Sequence, residues 1–213
     1  MFLWETSKPF DFILHYAANN NHSGQAFQED SPVTGTYQNG HVSNFRIPVV
    51  FHHPRLPRVQ VTANATTMSV VPTILDLLVN TKSLNNRDSD VALDLMNEYE
   101  GQSLIRPYKS AHNGRQAWNF GIINAGGTML AVTSAATPYR LIFPLRKDFE
   151  YTFSHLDEDP HEQRVVNEWT LEGIMGRVYR AYGGEAAKWV YEAEGMAKWW
   201  IEERKRMWNY EAE

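Results

Sequence analysis

The sequence predicts an α/β fold laid out in three stretches: a mixed strand-and-helix region over residues 1–110, a small antiparallel sheet over 111–165 and a helical tail over 166–213. Three observations predict it. Short apolar runs bounded by Gly, Pro and Asn alternate with helix-period segments in the first stretch. Extended runs separated by turn residues crowd together between Ala117 and Leu156. Beyond them the apolar residues recur at helical spacing.

PFDFILHYA, residues 9–17, suits a short strand, and an Asn-, Gly- and Ser-rich loop runs from Asn19 to Gly40. FRIPVVFHHP reads as a buried strand stopped by Pro54 and Pro57, and RVQVTA as a second extended piece. TTMSVVPTILDLLVNT reads as a helix capped by Thr67 or Ser69. Pro72 is tolerated in its first turn, and Val71, Ile74, Leu75 and Leu78 form one apolar stripe. SDVALDLMNEYE gives a more polar helix ended by Gly101.

AWNFGIINAGGTMLAVTSAATPYRLIFPL supplies three extended runs, with Gly126-Gly127 as a tight hairpin turn between the first two. FEYTFSHL adds a fourth, and DEDPHEQ follows as a solvated acidic turn. EQRVVNEWTLEGIMGRVYRAY reads as helix, Gly183-Gly184 breaks it, and a last helix runs to the end. That helix gathers Trp189, Ala193, Met196, Trp200 and Met207 near one face, with Glu194 and Lys198, then Glu202 and Arg206, as i,i+4 pairs. It is expected to pack on its own domain; the alternative is a helix that offers its aromatic residues to a membrane surface or a partner, and its mixed charges argue against a basic membrane-binding face.

Composition bounds the function. The 213 residues suffice for one sizeable core, or a core with a small subdomain. A net charge of -5 gives no electrostatic grip on nucleic acid. The absence of cysteine removes disulfides, Cys-ligated zinc and a Cys nucleophile. No stretch approaches the roughly 20 apolar residues of a membrane span, and Glu5 and Asp11 interrupt the start as a signal peptide. Asn21-His22-Ser23 and Asn64-Ala65-Thr66 fit the N-glycosylation pattern, which matters only in the secretory pathway.

Four strings, in order, carry a resemblance: FRIPVVFHHP, SVVPTILDLL, YEGQSLIRP and YRLIFPLRKDFEYTFSHLDEDPHEQ. Together they resemble the C-terminal half of sulfatase-like enzymes of the alkaline phosphatase superfamily, over roughly residues 24–165. NGHVSNFR and EYEGQSLIRP look most like fungal membrane-anchored sulfatase-domain proteins. The resemblance implies part of an alkaline-phosphatase-like α/β/α sandwich before the small sheet. It also implies a divalent metal (Ca, Mn or Zn), a sulfate or phosphate ester substrate, and a membrane-anchored protein with an extracytoplasmic domain.

The same resemblance supplies candidate site residues. Members carry Gly-Asp-His-Gly at a strand end, where Asp and His hold the metal; here the string is Asn21-His22-Ser23-Gly24, which leaves His22 as the metal candidate. His41 stands where the family places polar groups against the ester's oxyanion, with Asn44 and Arg46 as further substrate-site candidates. The alternatives are a solvated His22, a loop-capping His41 and an Arg46 in a structural ion pair. His52 and His53, adjacent on a strand, point to opposite faces and read as structural. Asp76 reads as a helix-end or partner-pairing carboxylate.

No catalytic residue is assigned. Sulfatases attack from Cys/Ser-x-Pro-x-Arg; Ala136-Thr137-Pro138-Tyr139-Arg140 shares the ending but has Ala at the nucleophile position. Three readings follow. The chain is the C-terminal region of a sulfatase-like hydrolase, inactive alone; or a non-catalytic interaction protein on a fold remnant; or a phosphoryl-group transferase of the same superfamily. A partial sheet would expose an edge and an apolar face, so poor solubility or self-association is expected.

Overall fold

A computed structural model describes residues 13–16, 40–45, 49–52, 65–99, 101–107, 111–112, 115–123 and 127–207, with the isolated positions 56, 58, 60 and 109. It contains both helices and strands, and its largest element is a five-stranded antiparallel sheet packed against a C-terminal helix. The chain divides into two units, Met1–Ala17 with Pro48–Asn113, and Ala18–Ile47 with Gly114–Glu213.

In the first unit, β1 (Ile13–Tyr16) pairs antiparallel with β2 (Val49–His52), Ile13 opposite His52 and Tyr16 opposite Val49. A 3-10 turn, Thr67–Ser69, leads into α1 (Val70–Asn80). Pro72 falls in the first turn of α1, where its missing N–H removes no helical bond. The capping expectation is corrected: Thr67 lies inside the 3-10 turn, and Ser69, at the cap position of α1, makes no side-chain cap bond. The expected stripe is corrected too. Val71 is 43% exposed, and the buried positions are Pro72, Thr73, Asp76 and Leu77. The helix turns a polar line inward because Thr73 and Asp76 find partners in the segment 103–106.

α2 (Asn86–Glu98) is capped by Asn85, whose side chain accepts from the Asp88 N–H at 2.9 Å. It stops at Glu98, so Gly101 is not its cap. Gly101 is needed for a close approach instead: a Cβ there would lie 2.2 Å from the Met68 carbonyl oxygen. The short strand β3 (Ala111–His112) follows. His53 and most of RVQVTA lie outside the described residues.

In the second unit, after β4 (Arg115–Gln116), strands β5 (Trp118–Ile122), β6 (Met129–Ser134), β7 (Tyr139–Pro144) and β8 (Tyr151–His155) form the expected meander. Gly127 takes φ 57° in the first hairpin, a conformation that favours glycine. One further strand corrects the expectation of helix. Val166–Glu168 forms β9 and pairs with β8, Phe153 opposite Val166. Helix-period spacing also fits this stretch, but the open edge of β8 takes its backbone groups.

α3 (Leu171–Met207) is kinked at Gly183, the expected break, where φ is 88°. Its Ile174, Val178, Trp189, Val190, Ala193 and Ala197 pack on Leu130, Val132, Leu141 and Phe153, so the tail and the sheet share one core. Trp189 lies 5.5 Å from Tyr139 and 5.7 Å from Trp118, ring centre to ring centre. Two details of the tail differ from expectation. Met207 is exposed, and Arg206 pairs with Glu203 while Lys205 pairs with Glu202. Lys198 does pair with Glu194.

Candidate functional site

Strand alternation gives the sheet two faces. Tyr139, Leu141 and Phe143 of β7 meet α3, while Arg140 and Ile142 point the other way. Over that second face lies the segment 40–45, which contains the 3-10 turn Val42–Asn44. A Cβ on Gly40 would come 3.0 Å from Ile142 Cδ1, and one on Gly121 would come 3.0 Å from the Phe45 ring. The segment rests directly on the sheet at these points.

Arg140 organises this region. Its guanidinium donates to Glu162 Oε1 at 2.7 Å and to the Gly40 carbonyl, and lies 5.0 Å from the centre of the Phe45 ring. Glu162 Oε1 also accepts from Ser154 Oγ at 2.7 Å, and Oε2 accepts from the Val42 N–H at 2.6 Å. Glu162 therefore ties the turn after β8 to the segment 40–45. It holds this position with φ 50°, an uncommon conformation for a residue with a side chain.

The acidic turn is exposed at Asp157, Glu158, Pro160, His161 and Gln163, as expected of a solvated turn, but Asp159 and the Glu162 side chain turn inward. Asp159 is buried and accepts from the N–H groups of Gln163 and Arg164 at 3.0 and 2.6 Å. Sequence reasoning does not find the pair Arg140 and Glu162. The available signal is an arginine in the apolar run YRLIF, on a strand with both faces covered.

His41 lies in the same region. Its Nδ1 accepts from the Ser43 N–H at 3.2 Å and lies 2.8 Å from Ser43 Oγ; its Nε2 is 2.9 Å from the His161 carbonyl oxygen. These partners fit the tautomer protonated at Nε2, donating to His161. Both ring nitrogens are thus engaged within the chain. Asn44 is buried in the turn, and its N–H donates to the His41 carbonyl at 3.1 Å. His22 and Arg46, the other two sequence candidates, lie outside the described residues.

A second polar centre sits in the first unit. Asp76 is fully buried and its carboxylate takes four bonds: Arg106 Nε at 2.7 Å, Arg106 Nη2 at 2.6 Å, Ser103 Oγ at 2.6 Å and Asn80 Nδ2 at 2.8 Å. Burial pushes its carboxyl pKa up, but the bonds from Arg106 and Ser103, the Arg106 charge and the Asn80 bond outweigh this and hold it below the usual value. The same bond and charge raise Arg106. Thr73 Oγ1 donates to the Ser69 carbonyl at 2.6 Å and accepts from the Leu104 N–H at 2.9 Å.

The Asp76 carboxylate has its lone-pair directions filled, so it is placed to fasten rather than to move protons. This agrees with the partner-pairing role read from the sequence. Among the described residues, no group of three or more His, Cys, Asp or Glu side chains is arranged to hold a metal ion. His22, the metal candidate that the resemblance supplies, lies outside those residues. Among them, too, no helix is long and apolar enough to cross a membrane. Compared with known proteins, the chain matches no protein-family model, no curated protein and no solved structure.

Proposed function

We propose that the chain corresponds to the C-terminal region of a sulfatase-like hydrolase of sulfate or phosphate esters, with part of an alkaline-phosphatase-like sandwich, and that it serves there as scaffold. One observation supports this reading above the others. SVVPTILDLL and YEGQSLIRP, two of the strings that carry the resemblance, are fastened to each other through Asp76, Ser103 and Arg106, and through Thr73 and Leu104. Residues of the two motifs thus form one centre around the buried Asp76. Its groups hold backbone segments in place, and the sequence offers no Cys/Ser-x-Pro-x-Arg nucleophile.

The test pairs two measurements on the full chain. The first is hydrolysis of a chromogenic aryl sulfate and aryl phosphate with Mn²⁺, Ca²⁺ or Zn²⁺; no turnover is expected. The second is calorimetric titration with the same ions, repeated on His22→Ala and His41→Ala; no tight binding is expected, because most of the metal ligands that the resemblance implies are absent from the sequence. Turnover would overturn the scaffold role. Tight binding that is lost in either variant would overturn it as well, because a working site would then survive in this chain.

A further inference from the structure

Beyond the Gly183 kink, α3 buries one face and leaves the other exposed. Tyr191 and Trp199 are 61% and 55% exposed. Gly195 lies midway between them, and Lys188 and Glu202 lie one turn further out at either end, both well exposed. The five positions 188, 191, 195, 199 and 202 share a helix face and are spaced symmetrically about Gly195. The aromatic residues mirror one another, whereas the charges at the two ends are opposite.

Nothing among the described residues calls for glycine at 195. A Cβ there would meet nothing within 4 Å, and its φ is not in the left-handed region. Alanine would favour the helix over glycine at such a position. A glycine at the centre of an exposed aromatic face leaves room for the close approach of another backbone.

We propose that this face docks a second copy of the chain, with the two helices antiparallel and crossing at Gly195. A two-fold axis at that point sets Lys188 of one copy against Glu202 of the other, twice, and brings Tyr191 level with Trp199 across the contact. The parallel arrangement would oppose Lys188 to Lys188 and Glu202 to Glu202, so the charges select the direction. Lys188 and Glu202 now pair with Glu192 at 3.6 Å and Lys205 at 3.1 Å, exposed contacts that exchange at little cost. A contact built on one helix face belongs to the small, reversible class of interface.

Sedimentation velocity of the full chain, from low to high micromolar concentration, tests the proposal. The wild type should dimerise reversibly. Gly195→Leu, Lys188→Glu and Glu202→Lys should each weaken the dimer at least about tenfold. Lys188→Glu combined with Glu202→Lys should restore it to within about threefold. All three positions are exposed, so the helical circular dichroism of each variant should match the wild type. A wild type that stays monomeric, a dimer indifferent to Gly195→Leu, or a double swap that fails to restore association would each overturn the proposal.

Discussion

Arg140 and Glu162 are joined by a 2.7 Å ion pair in which the side chains are only 1% and 5% exposed. Charges removed from water in this way are stable only together, and removing one partner strands the other. Glu162→Ala or Arg140→Ala should therefore cost about 3–5 kcal/mol. The Glu162 variant should also release the segment 40–45, because the Val42 N–H loses its acceptor. Urea unfolding and amide exchange at Val42 check the two parts. A cost below about 1 kcal/mol, the range of a surface pair, would contradict the burial argument.

Asp76 should make the first unit acid-sensitive. Its folded pKa is lowered, so its contribution is present above the unfolded carboxylate value of about 3.9 and is lost as pH falls through the folded value. Asp76→Asn should remove this acid-sensitive contribution and cost about 1–3 kcal/mol at neutral pH, because Arg106 and Ser103 lose a charged acceptor. Amide exchange in α1, followed against pH in both proteins, separates the effect from the rest of the chain. Identical pH profiles would refute it.

The sheet and the kink are legible in the sequence because they rest on local signals: alternation along β5 to β8, turn residues between strands, and paired glycines in a helix. β9 is not, because Val166–Glu168 becomes a strand only beside the edge of β8. The inward polar line of α1 is hidden for a related reason. Hydrophobicity ranks Val71 above Thr73 and Asp76, but the partners at 103–106 reverse that order. Asp76 betrays its pairing role as the one charge on an apolar helix, whereas Glu162 sits among acidic neighbours that look solvated as a group.

Trp189 should be the largest single contributor on the helix side of the core. Its ring lies within 5.7 Å of Trp118 and Tyr139 and 6.3 Å from Phe153. Trp189→Ala should cost about 3–5 kcal/mol, and Trp189→Phe distinctly less, since part of the volume is retained. Near-ultraviolet circular dichroism and urea midpoints report both. Equal losses in the two variants would mean that packing volume is not the cause.

Gly183 and Gly176 make a controlled comparison. A Cβ at either position would meet nothing within 4 Å, so crowding is the same for both. Only the backbone differs: Gly183 holds φ 88° and ψ -178°, while Gly176 lies inside the helix without a positive φ. Gly183→Ala should destabilise by about 1–3 kcal/mol through backbone strain alone. Gly176→Ala should stabilise by about 0.5–1 kcal/mol, because the unfolded chain loses freedom and the helix gains propensity. Thermal melts of both variants decide the point. Shifts of the same sign would show that the kink at Gly183 is not a conformational requirement of the fold.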